Sequence, residues 1–245
     1  VNRAIVLYHY FIIRSFPSCM FHPHKALLDE FQFAIHHFVA TVPDEIKINA
    51  QKLHDALLAD KTADETSLKL AFHDIGVQEY PYRHAYEELI HTKEEGKLNQ
   101  LVSEHVDAPV RAVIEPHLNA GVHLDELMRS DLLSEQLTPE QIYQIEDGIN
   151  VAKSKLAEAI KKHVSDDNAS YETLLAKWTS HAKEIELAIT ELKAFAEKAD
   201  ENQKQEILNR VQYYREGFLL TETDPDLEEI KNEIEYWQDA FQEEG

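Results

Sequence analysis

The chain has 245 residues, 24 of them Lys or Arg against 46 Asp or Glu, for a net charge of −22 with 43% hydrophobic residues. That balance excludes nucleic acid and anionic membrane as partners for its surface, since both need cations on the protein side. The single cysteine, Cys19, excludes an intramolecular disulfide and fits a reducing, cytoplasmic setting.

Six Gly and eight Pro leave few sharp turns and favour long helices. The expected fold class is all-α. An irregular N-terminal helical domain over residues 20–136 is followed, over 137–245, by a three- to four-helix antiparallel bundle of coiled-coil type. No cofactor is expected. The fourteen histidines leave a divalent metal open, because neutral imidazole is the commonest metal ligand. A scatter of exposed histidines would give the same composition.

Residues 1–19 read differently from the rest. The apolar run 4–13 is shorter than the roughly 20 residues a bilayer span needs. Arg3 precedes it, as in a secretory signal, but Arg14 interrupts and no small-residue cleavage site follows. A third reading makes Met20 the natural start. A membrane partner is expected only if 1–19 is an anchor.

Leu27, Leu28, Phe31, Ile35, Phe38 and Val39 recur at helical spacing, and Pro43 with Asp44 and Glu45 opens the next helix. Thr62-Ala63-Asp64-Glu65 has the form of a capping box. The helix it starts is expected to stop at Gly76 in a left-handed conformation.

The stretch DETSLKLAFHDIG, residues 64–76, resembles the helix that ends in the His-Asp pair of HD-domain metal-dependent phosphohydrolases. The resemblance implies that His73 and Asp74 ligate a divalent metal that activates water. In that family a histidine from an earlier helix and a distal aspartate complete the set. Here His37, His54 or Asn49 stands nearest the first place, and Asp107, Asp125 or Asp131 could fill the second. The match covers these 13 residues and two of four ligands, so the chain is assigned to no family. The alternative is that His73 and Asp74 simply sit at a helix end.

Pro81 is expected to break the chain at Tyr80-Pro81-Tyr82. The helix that follows aligns His84, Glu88 and His91 in one stripe, and Glu88-x-x-His91 is a unit found in di-iron bundles. Such sites need two of these units and only one is present, so a solvated face with i,i+4 pairs is the competing reading. Gly96 should end this helix. Short helices over 98–106, 109–121 and 123–133 complete the domain.

Thr138-Pro139-Glu140-Gln141 is a capping box with proline at the first helical position. Ile142, Ile145, Ile149, Ala152, Leu156 and Ala159 then alternate by three and four. So do Tyr171, Leu174, Trp178, His181, Ile185, Ala188, Leu192, Phe195 and Ala199. This is a heptad seam on two helices joined by a short turn. His163 and His181 on that seam read as hydrogen-bonded core residues. A third helix carries Ile207, Val211, Tyr214 and Phe218, and a last one, opened by Pro225, carries Leu227, Ile230, Ile234, Trp237 and Phe241. Residues 216–245 hold eleven Asp or Glu against Lys231 alone, either a solvated face or a docking surface for a basic partner. The leading expectation is a protein-interaction or scaffold module that binds another protein or itself. The alternatives are an HD-like phosphohydrolase through His73 and Asp74, and a His/carboxylate metal-binding helical protein through His84, Glu88 and His91.

Overall fold

The computed structural model describes residues 22–219 and 224–243, apart from the side chains of residues 125, 129, 242 and 243. The apolar segment 1–19 and Met20 lie outside the described residues. Regular structure among the described residues is all helical, and no helix among them is long and apolar enough to cross a membrane. The chain forms two compact units. One is residues 88–165, and the other joins residues 22–87 to 166–219 and 224–243.

The discontinuous unit opens with α1 (Lys25–His36) and α2 (Asp44–Ala59). Pro43 precedes α2, and Asp44 and Glu45 occupy its first turn. Next comes α3 (Glu65–Leu89). Its cap is not the expected Thr62, whose hydroxyl donates instead to Asp60, 2.7 Å away. Asp64 takes the role and accepts from the Ser67 backbone N–H at 2.7 Å. Leu28, Phe31, Ala50, Leu68, Phe72 and Ile75 pack into one core, with the Phe31 and Phe72 rings stacked at 4.0 Å.

Helix α3 corrects two expectations, since it runs unbroken through both Gly76 and Pro81. Gly76 keeps ordinary helical backbone. Its missing side chain serves another need: a Cβ there would lie 2.9 Å from the Cβ atoms of both Phe218 and Leu219. The glycine lets the chain at 218–219 lie directly on the helix. Pro81 forfeits one helical hydrogen bond at a cost of about 3 kcal/mol. The buried neighbours Tyr80, Ala85, Tyr86 and Leu89 outweigh that, at roughly 1.5–3 kcal/mol for each large side chain.

The unit continues with α9 (Asn168–Phe195), α10 (Glu201–Glu216) and α11 (Leu227–Glu243), numbered after the helices of the other unit. Their caps are Asp167, which accepts from Ser170 N–H; Asp200, in a capping box with Gln203; and Asp226, which accepts from Glu228 N–H. Ile185, Ile189 and Leu192 meet Ile207, Val211 and Tyr214, then Ile230, Ile234 and Trp237, in a core that also takes in Phe218 and Tyr80 of α3.

The continuous unit starts where α3 passes into a π-helical turn, Ile90–Glu94, and then α4 (Glu95–His105). Gly96 therefore lies inside a helix and ends none. The π turn has a packing reason. Ile90 and Leu98 are both buried, yet eight residues of unbroken α-helix would put them about 80° apart. One extra residue in the turn brings them back to about the same face. Helix α5 (Ala108–Asn119) accommodates Pro109 in its first turn and Pro116 in its interior. Gly121, at φ +84°, then turns the chain in the left-handed region. The single helix expected over 123–133 is two, α6 (Leu124–Arg129) and α7 (Asp131–Gln136), parted at Ser130, which is extended. Helix α8 (Pro139–Asp166) starts with the expected capping box: Gln141 N–H donates to Thr138 Oγ1 and Thr138 N–H to Gln141 Oε1. It buries Ile145, Ile149, Ala152, Leu156 and Ile160.

Candidate functional site

The residues singled out by the HD resemblance diverge. His73 is buried, at 6% exposure. Its Nε2 lies 3.0 Å from Glu186 Oε1 and its Nδ1 3.3 Å from the Arg215 carbonyl oxygen. These two contacts tie α3 to α9 and α10. Asp74, one position on along a helix, is turned to solvent. Of the residues weighed for the remaining ligands, His54 is buried beside Asp55, and Asp107 accepts from the Gln144 side chain. Asp131 is exposed, and the Asp125 side chain lies outside the described residues.

Of the stripe, His84 and Glu88 lie four residues apart on α3, and His91 lies in the π turn that follows. His84 stacks on Trp178 at 4.4 Å with its Nε2 3.4 Å from Asp224 Oδ2. Glu88 and His91 belong to the other unit. Neither His163 nor His181 is buried in a core: His163 is hydrogen-bonded to Glu94 Oε1 at 2.7 Å with its side chain 33% exposed, and His181 lies edge-on to Trp178.

Beside His84 is an ionic cluster that a one-dimensional reading could not assemble. Arg83 donates to Glu79 Oε2 at 3.1 Å, to Asp224 Oδ1 at 2.8 Å and to the Phe218 carbonyl at 3.2 Å. Glu79 is 2% exposed. Burial pushes its carboxyl up, against the pull of Arg83. Burial would raise Asp224 too, but the hydrogen bond from His84 and the charge of Arg83 hold its carboxyl well below the usual carboxylate range. All three groups are spent on each other, and the work they do is mechanical: they tie the segments around Phe218 and Asp224 to α3.

Among the described residues, three features are open to a ligand. One is a groove of about 390 Å³ between α9 and α11. Ala188, Leu227 and Ile234 line it, Leu187 stands beside it at 69% exposure, and Glu184, Glu191 and Glu235 rim it against Lys231. A second is in the continuous unit. His91, Glu95 and His123 bring one ligand atom each to within 4.8 Å of one another. His91 comes from the π turn, Glu95 from the first turn of α4, and His123 from the residue before α6. His123 Nδ1 is hydrogen-bonded to Glu95 Oε1. The third, a polar groove around Arg111 and Glu115, between α4 and α5, mixes both charges and favours no one ligand class.

No family model, curated protein or solved structure matches the chain. The functional reading therefore rests on these residues alone. Sequence reasoning had His91 but not its partners. The i,i+4 spacing of His91 and Glu95 was a usable signal, whereas His123 is brought back by the turn at Gly121. Leu187 had a signal of its own, as a large apolar residue just outside the three-four seam of α9.

Proposed function

We propose that this is a protein-interaction module whose groove between α9 and α11 receives an amphipathic helix with basic flanks from a partner protein. Helices α9, α10 and α11 act in this reading as an antiparallel, coiled-coil-like bundle that presents the groove. The carrying observation is Leu187, a large apolar side chain left 69% exposed beside an apolar floor and within a ring of glutamates. An apolar face laid into such a groove is a common mode of helix recognition. The acidic rim selects the partner's charge, because opposite charges raise the association rate and like charges repel. Helix α11 adds Asp239 to that field, while its Glu228 pairs with Lys231 and its Glu229 and Glu233 with Arg210. A second copy of the chain would bring the same charge of −22 to the contact, which favours a foreign partner over self-association. The single cysteine supports a cytoplasmic setting for this binding.

The test is a fluorescently labelled Leu/Lys helical peptide of about 18 residues, five turns, titrated with the protein and followed by anisotropy. Leu187→Asp separates groove binding from general attraction to an acidic protein, because the two predict opposite signs. Attraction alone predicts tighter binding to the more negative variant. Docking in the groove predicts a loss of about tenfold or more, as for an apolar anchor. A Leu/Glu peptide should not bind. Unchanged or tighter binding by Leu187→Asp would end this reading.

A further inference from the structure

We propose that His91, Glu95 and His123 form a binding site for a borderline divalent cation, zinc first among them. Two imidazoles and one carboxylate suit such ions. Magnesium and calcium prefer all-oxygen shells. The same donor set, two histidines and a glutamate, is one that zinc takes when its fourth position is left to water.

The geometry is close to what the ion needs. Bonds of about 2.0–2.2 Å in a tetrahedron put donor atoms about 3.3–3.6 Å apart. The three donors already lie within 4.8 Å of one another. His123, already hydrogen-bonded to Glu95, has a side chain 51% exposed. The His91 and His123 rings stand at 84° to each other with centroids 5.5 Å apart, so two imidazoles approach one point from different directions.

The backbone around the site is unusual in the same place. His91 lies in the π turn and Glu95 directly follows it, and π turns within helices recur at functional sites. Gly121, at φ +84°, returns the chain from α5 so that His123 faces residues 91 and 95. The exposure of His123 gives the ion a path from solvent.

Chelator-treated full-length protein titrated with zinc in a calorimeter tests the site, with Co2+ and its visible absorption as a second reading of coordination. Wild type should bind one ion in the tight phase. His123→Ala and Glu95→Gln should each weaken that phase at least tenfold, since even the groups behind a ligand change affinity about 10–100-fold. His123→Cys should keep it, because thiolate is also a zinc ligand, and this shows that a loss in His123→Ala is not misfolding. His36→Ala, an exposed histidine elsewhere, should leave it unchanged. Affinity should fall at acid pH, where protons compete for the imidazoles. Absence of tight binding in wild type would overturn the site. So would equal losses in His36→Ala and His123→Ala, which would mean scattered binding over the fourteen histidines.

Discussion

Replacing Gly76 by alanine should destabilise the protein, although the same change at most helical glycines does the reverse. Alanine in place of glycine in a helix interior gains about 1 kcal/mol from propensity. At Gly76 the new Cβ would sit 2.9 Å from the Cβ atoms of Phe218 and Leu219 and 3.0 Å from the Phe218 carbonyl carbon. Relaxed carbon contacts are about 3.5–4.0 Å, so each overlaps by roughly half an ångström or more. None of the three atoms is the free end of a flexible side chain. Overpacking of this kind costs about 1–3 kcal/mol. The net expectation is a loss of about 1 kcal/mol, reaching about 2 if Phe218 cannot shift. Gly96 is the control: it too is helical, and a Cβ there meets nothing within 4 Å. Gly96→Ala should therefore gain about 0.5–1 kcal/mol. Urea denaturation followed by circular dichroism would resolve the gap of about 2 kcal/mol between the variants, or about 4–8 °C in Tm for a chain of this size. If Gly76→Ala proves as stable as wild type or more so, the close approach of residues 218–219 to α3 is wrong.

Arg83→Met leaves the Glu79 carboxyl buried without its cation and should cost about 3–5 kcal/mol; adding Glu79→Gln should recover most of it in the same denaturation assay, and equal stability of single and double variants would contradict the pairing. Asp224 has its folded-state pKa depressed, so its contribution is complete above the unfolded value of about 3.9 and disappears as pH falls through the folded one. The stability gap between wild type and Asp224→Asn should accordingly be full at pH 7 and shrink below about pH 4; a gap that grows on acidification would reverse the sign. Ile230→Ala, at a fully buried position in the core of α9, α10 and α11, should cost about 2–5 kcal/mol, and a cost under about 1 kcal/mol would mean the core is not closed there.

What the sequence made legible was what is decided locally. The Thr138 capping box, the Pro43 start and the three-four spacing of α9 depend on residues within a turn or two, and the structure places helices there. Gly76, Pro81 and Gly96 were misread together for one reason. Each is a helix breaker by propensity, but tertiary contacts overrode the preference. Gly76 accommodates Phe218 and Leu219, Pro81 sits on a helix that buries Tyr80 and Tyr86 on either side of it, and Gly96 follows a π turn that re-phases Ile90 with Leu98. The cap of α3 was misplaced by two residues because Thr62 and Asp64 offer equivalent oxygens, and Asp60 claimed the first. His73 and Asp74 are neighbours in sequence, yet a helix points adjacent side chains about 100° apart, so burying one exposes the other. Glu95 and His123 lie 28 residues apart, and no periodicity connects them.

The core that takes in Tyr80 has a consequence for how the chain matures. Leu28, Phe31, Leu68 and Phe72 all precede Tyr80 and can cluster as soon as that stretch has left the ribosome. Tyr80 cannot join its own core until Ala182 and the residues beyond it have been made. Residues 88–165, a compact unit in themselves, are synthesised in between. At about 5–20 residues per second, that is a wait of roughly 5–20 s. For that interval α3 has a covered apolar end and a bare one. Over that interval the ring of Tyr80 and the pair of Glu79 and Arg83, still lacking Asp224, wait for partners yet to be made.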